Sequence, residues 1–204
     1  MTEILGYGED ALTLWALKHN MSEILSKLND KTSPSDCIVF YRPSFGRSGG
    51  TDSSEFGEFD AILVSLENIY LIESKWDNLS VSKSEKNIVR PVQGLRHQIF
   101  SWYITHWKEK HVQNWKGFVD EEGQDFKKKF NKPIASKGLL AQNLEFVLET
   151  LLEHSKKFSG EQNIKNVLVF FYKKRLAAPP IKPEDFTLVA IDYSQDIIGN
   201  FVRM

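Results

Sequence analysis

A single cysteine, Cys37, is the chain's whole thiol complement. No disulfide framework can therefore hold the fold together. Cys37 lies in an apolar run with no histidine near it in sequence, so it reads as a strand residue and not as a nucleophile. Long apolar runs are also missing. Hydrophobic residues make up 41% of the chain, yet no stretch approaches the ~20 apolar residues that a bilayer-spanning helix needs, so no membrane span is expected. The opening MTEILGYGED has no basic region, no apolar stretch of signal length and no small-residue cleavage site. Together with the lone thiol, this sets the expectation at the cytoplasm.

Several catalytic signatures are absent too. His106 and His111 are five positions apart, on different sides of a helix, and no cysteine pair accompanies them, which argues against zinc. The run GRSGGT lacks the Lys-Ser/Thr with which a phosphate-binding loop holds phosphate and metal. No G-x-S-x-G elbow supports a serine hydrolase. Nor is there an excess of positive charge. The net charge is −1, whereas a sequence-independent nucleic-acid binder usually carries a basic balance, so any such binding must rest on local asymmetry. That asymmetry exists: Lys83, Lys86, Arg90, Arg96, Lys108, Lys110 and Lys116 stand against Glu85 and Glu109, and Lys127-Lys128-Lys129 follows Asp120-Glu121-Glu122. A solvated helix face accounts for either cluster equally well.

What is present centres on residues 57 to 75, GEFDAILVSLENIYLIESK. The runs AILV and IYLI have the β-branched and aromatic character of strands buried on both faces, and Ser65-Leu66-Glu67-Asn68 is their only turn-like interruption. An antiparallel hairpin whose even-numbered loop is centred on Leu66 and Glu67 sets Asp60 opposite Glu73 and Glu58 opposite Lys75. Period two then puts Asp60, Glu73 and Lys75 on one face. A carboxylate in such apolar surroundings costs several kcal/mol if left unpaired, on the order of published transfer costs. Two explanations answer that cost. Lys75 can neutralise one acid while water solvates the other, as a structural ion pair. Alternatively a divalent cation sits between Asp60 and Glu73, with the Ser74 carbonyl as a further ligand and Lys75 beside an attacking water, a donor set that suits Mg²⁺.

Asp60 followed by Glu73-Ser74-Lys75 resembles the D...(D/E)xK signature of the PD-(D/E)XK nuclease superfamily. The spelling GEFD, apolar strand, turn, apolar strand, IESKW is similar to the nuclease-related domain within it. Arg90-Pro91-Val92-Gln93-Gly94-Leu95-Arg96-His97 resembles that domain's Pro-x-x-Gln-x-x-x-His helix start, with Gln93 two positions after the proline and Gln98 as its competitor. Gly8-Glu9-Asp10-Ala11 resembles the Gly-Glu-x-x-Ala opening of its first helix. The resemblance covers about residues 8 to 103. It implies a restriction-endonuclease-like mixed sheet with an αβββαβ core, and a DNA endonuclease using Mg²⁺ or Mn²⁺. It further implies Asp60, Glu73 and Ser74 as metal ligands helped by Glu9, and Lys75 and Gln93 as catalytic partners. A homodimer would suit cleavage of both strands of a duplex.

The remaining chain reads as helix and strand in a pattern that fits one domain. Residues 9 to 28 carry a helical apolar stripe with a break near Asn20; residues 36 to 41 form a strand bracketed by Pro34 and Pro43; residues 44 to 55 are a connection from which Arg47 could reach a phosphate. A polar loop follows over 77 to 86. Pro91 then opens a helix to about His111, with Leu95, Ile99, Trp102 and Tyr103 expected on the sheet side. Trp102, Tyr103, Trp107 and Trp115 read as core, with base stacking as the lesser alternative. Residues 112 to 137 show no period and look like an excursion from the core, within an insertion reaching about residue 160. Residues 139 to 157 form an amphipathic helix, and IKNVLVFFY and FTLVAID form two further strands. The order suits a mixed α/β sheet with helices on its faces.

Overall fold

The computed structural model describes residues 2–46, 52–76, 89–109, 114–155, 157–173 and 184–204. Arg47 and the polar loop expected over 77 to 86 lie outside the described residues. The apolar stripe at the N-terminus folds as two helices, α1 (Gly8–His19) and α2 (Met21–Lys27), divided at Asn20. One turn of 3₁₀ helix at Pro34–Asp36 leads into β2 (Ile38–Tyr41), after the short β1 (Leu5–Gly6) that precedes α1. Where the connection at 44 to 55 was expected to begin, β3 (Ser44–Phe45) pairs antiparallel with β4 (Gly57–Glu58).

The hairpin is β5 (Ala61–Val64) and β6 (Ile69–Trp76), antiparallel, with Ala61 facing Ile72 and Val64 facing Ile69. This is the register expected from the loop. Ser65 N donates to Asn68 O at 2.9 Å, and Ser65 Oγ accepts from the amide of Asn68 at 2.9 Å, which closes the turn. Three helices follow, α3 (Pro91–Glu109), α4 (Trp115–Phe130) and α5 (Leu139–His154), then β7 (Ile164–Tyr172) and β8 (Thr187–Asp192). The main sheet runs β2-β5-β6-β7-β8, antiparallel up to β6 and parallel from β6 to β8. The parallel step from β6 to β7 needs a crossover, and α3 to α5 lie within it. At the chain's end β9 (Ile197–Ile198) and β10 (Phe201–Arg203) join β1 in a second, three-stranded sheet.

Both faces of the main sheet are covered, which is why its strands read as unbroken apolar runs. Ile62, Val64, Ile69 and Leu71 pack under α3, α4 and α5; Ala61, Leu63, Tyr70 and Ile72 pack against Leu12, Trp15 and Ile24 of α1 and α2. Alternation along β6 therefore delivers Glu73 to the face covered by α3.

Two expectations need correction here. Residues 112 to 137 are no excursion from the core: α4 buries Trp115, Phe118 and Phe126 against Trp102 and Tyr103 of α3. Its buried positions 115, 118, 122 and 126 keep helical spacing, with Gly117, Gly123 and further acids between them. Asn114 caps it by accepting from Gly117 N at 2.9 Å, and Asn131 closes it in the left-handed conformation. Lys127, Lys128 and Lys129 occupy its last turn, where the helix dipole favours cations. Leu95 is the second correction. It faces solvent at 38% exposure, while Ile99, Trp102 and Tyr103 are buried as expected.

Candidate functional site

Past Ala61 the first hairpin strand leaves its partner. Phe59 N donates to Pro43 O and Arg42 N donates to Asp60 O, so the chain turns toward β3 and β4. Asp60 stays level with the end of β6: its Oδ2 accepts from Ser74 N at 2.7 Å. Glu58 does not face Lys75 as the extended register implied. It sits in β4, where its carboxylate binds Arg42, and Arg42 also pairs with Asp10 of α1. Arg42 holds φ at +50°, a backbone conformation that costs a non-glycine residue on the order of 1 kcal/mol or more.

Glu73 is 1% exposed, and α3 satisfies it from one helical face. Gln93 Nε2 donates to Oε2 at 2.5 Å, Arg96 Nη2 lies 2.8 Å from Oε1, and His97 Nε2 lies 3.1 Å from the same oxygen. Positions 93, 96 and 97 face one way because residues three and four apart on a helix are neighbours. On its other side the His97 ring reaches Asn166 Oδ1 of β7 at 2.8 Å. Arg96 also donates to the Glu58 carbonyl. It passes Gly57, where φ is +117° and an added Cβ would lie 3.3 Å from Arg96 Cδ. A buried ion pair of this kind is costly to break, because removing one partner leaves the other charged and dry.

Lys75 takes a different partner from the one expected of a simple ion pair. Its Nζ lies 3.3 Å from Glu9 Oε1, the acid in the first turn of α1, and donates to the Ser74 carbonyl at 2.6 Å. That carbonyl, expected to face a metal, is thus occupied by Lys75. The electrostatic result is uneven. Burial, followed by the nearby Glu73 charge, pushes the Asp60 carboxyl up to about 6 despite the Ser74 amide and the Lys75 ammonium. Burial likewise raises Glu9, against the pull of Lys75. The site therefore gathers three carboxylates, from α1, from the residue before β5 and from β6, with Lys75 and Arg96 as the compensating cations.

All six residues singled out from the sequence come to this end of the sheet: Glu9, Asp60, Glu73, Ser74, Lys75 and Gln93. Gln98, the competitor of Gln93, is exposed on another part of α3, beside a pocket of about 330 Å³ lined by Trp102, His106 and Asn166. Sequence reading missed Arg96, His97 and Asn166 as members. The signal for the first two was available, since they share the Gln93 face of a helix that starts beside a buried acid. Asn166 gave no signal, because only the parallel pairing of β7 with β6 brings it there. The aromatic group at 102 to 115 is core: Trp102, Tyr103 and Trp115 are each at most 5% exposed, so stacking on bases by these rings is ruled out.

A divalent cation would meet oxygen donors here. The donor set is hard oxygen, as Mg²⁺ and Mn²⁺ prefer, and Asp60 Oδ1 accepts no hydrogen bond among the described residues. Among the described residues, no group of three or more His, Cys, Asp or Glu is spaced to hold a metal ion. Any ion bound here would have to keep most of its shell as water and substrate oxygen, since Gln93, Arg96 and His97 already take the Glu73 carboxylate. No protein-family model, no curated protein and no solved structure matches the chain.

Proposed function

We propose that the chain is a divalent-cation-dependent phosphodiesterase acting on DNA, an endonuclease with a restriction-endonuclease-like αβββαβ core and 1–204 as a single domain. The observation that carries the reading is the meeting of Asp60 and Glu73 across the open end of a hairpin, with Lys75 one residue beyond Ser74 and Glu9 within reach. Two acids brought together at the end of a buried hairpin, one of them pushed up to about 6 by burial and by the other's charge, form the kind of perturbed pair that functional sites concentrate.

Bound there, Mg²⁺ or Mn²⁺ would supply charge withdrawal from the scissile phosphate and a more acidic water. The chain's own groups do the rest. Asp60 and Glu73 orient the donor oxygens; Lys75, partly exposed, can turn its ammonium from the Ser74 carbonyl to a phosphate oxygen or to the attacking water; the Gln93 amide, already in hydrogen-bond contact with Glu73, fixes that carboxylate. Charge repulsion between substrate and Glu9 is offset by the Lys75–Glu9 pair. A homodimer would let two such sites address both strands of a duplex.

The test is cleavage of linear, circular and branched DNA by the purified protein with Mg²⁺. Asp60→Ala and Lys75→Ala should each abolish Mg²⁺-dependent cleavage while DNA affinity stays within a few-fold, and cleavage unchanged in both variants rules the assignment out.

One observation favours a second reading, a non-cleaving binding module on the same fold. Glu73 is fully occupied by Gln93, Arg96 and His97, as a structural ion-pair network requires. Calorimetric titration with Mn²⁺ separates the two, since a closed network shows no heat that depends on Asp60.

A further inference from the structure

The small sheet β1-β10-β9 turns one side to α1 and the other outward. Val202 is buried, and Gly6 opposite it lies so close to α1 that an added Cβ would sit 2.6 Å from Ala11 Cβ. Alternation then sends Leu5, Ile198 and Phe201 to the outer side, all more than 40% exposed. Tyr7, 59% exposed, joins them: its ring lies 5.6 Å from that of Phe201 and meets Trp76 edge-on at 5.6 Å. Trp76 directly follows Lys75, and Tyr7 stands two residues before Glu9, which holds Lys75. The aromatic surface therefore begins where the cluster of acids and lysine ends. Arg203 lies on the same outer face, opposite Leu5, its guanidinium 2.7 Å from Glu3. Both partners are more than half exposed, so this pair is weak and a phosphate can replace the carboxylate.

We infer that Tyr7 and Phe201 form a base-stacking platform for single-stranded nucleic acid, with Arg203 facing its phosphates, so that the substrate of the neighbouring site carries unpaired bases. The inference rests on the phosphodiesterase reading for the position of the scissile phosphate. Exposed aromatic rings on a sheet face stack on splayed bases of any sequence, whereas the bases of a duplex are already stacked and turned inward. A bare apolar face would serve a second copy of the chain equally well. Two touching rings, continuous with the candidate site and flanked by an exchangeable arginine, match an anionic strand with flat bases instead.

Fluorescence anisotropy with the full chain in EDTA tests this, using labelled oligothymidylate about a dozen nucleotides long and a blunt duplex of the same length. Tyr7→Ala and Phe201→Ala should each weaken binding of the single strand about tenfold and change duplex binding less than about twofold. Tyr7→Phe should retain wild-type affinity, and Ile198→Ala, which removes an exposed apolar group without a ring, should leave it unchanged. Equal losses on both nucleic acids overturn the platform. So does single-strand affinity unmoved by both alanine variants, or a wild-type dimer that Phe201→Ala converts to monomer. Cleavage is judged apart. Binding that needs Tyr7 and Phe201 without any Mg²⁺-dependent cleavage upholds the platform and refutes the phosphodiesterase; cleavage with single-strand binding indifferent to both rings does the reverse.

Discussion

Replacing Asp60 with asparagine should make the protein more stable at neutral pH, an unusual outcome for a partly buried polar residue. The carboxyl titrates near 3.8 in the unfolded chain and about 6 in the folded one, through burial first and the Glu73 charge second. Between those values the folded state holds more protons than the unfolded state, so stability falls as pH rises through the window and stays reduced above it. At ~1.4 kcal/mol per pH unit, the ionised acid costs about 3 kcal/mol at pH 7.5, an upper bound because the side chain is partly exposed. Asparagine keeps an oxygen to accept from Ser74 N and discards the charge. Urea unfolding of both proteins at several pH values reads the effect as a midpoint shift with unchanged slope. Asp60→Asn should be more stable by roughly 2–3 kcal/mol at pH 7.5, about 4–12 °C in Tm for a chain of this size, and equal to wild type near pH 4. A gain that does not depend on pH, or a loss at pH 7.5, refutes the electrostatic account. Adding Mg²⁺ extends the test, since a cation bound only by the folded wild type stabilises it and should narrow the gap at pH 7.5. A gap indifferent to Mg²⁺ leaves the electrostatics standing and removes the support for a metal site.

Arg96→Ala should destabilise by about 3–5 kcal/mol, measured by chemical denaturation, because Glu73 keeps its burial and loses its cation. Adding Glu73→Gln to that variant should recover part of the loss, and strict additivity of the two changes would show that they are not coupled. Trp102→Ala should cost about 3–5 kcal/mol by the same measurement, since its ring packs against Phe118 and Phe126, yet leave nucleic-acid affinity unchanged wherever the variant remains folded. A selective loss of binding without loss of stability would return that ring to the nucleic-acid surface.

The comparison of Asp60 with Asn166 shows where sequence reasoning reaches and where it stops. The hairpin, its register and the face shared by Asp60 and Glu73 follow from period two and a four-residue turn, both local properties of 57 to 75. Strands β7 and β8 were legible as short apolar runs, and the N-terminal helices from apolar residues recurring at helical spacing. Helix α4 was not read, although Trp115, Phe118 and Phe126 keep helical spacing, because Gly117, Gly123 and acidic residues stand among them; the surface that buries these rings belongs to α3, the helix just before it.

Sequence alone thus determined the strands of the main sheet, the helices other than α4 and one pairing, since turn geometry and side-chain alternation act over a few residues. Tertiary structure decided the partners. Lys75 binds Glu9 because α1 lies against the end of β6, and Glu73 is held by Gln93, Arg96 and His97 because the start of α3 lies over that strand end. Such contacts depend on how helices dock on a sheet, and no spacing in the chain encodes that docking.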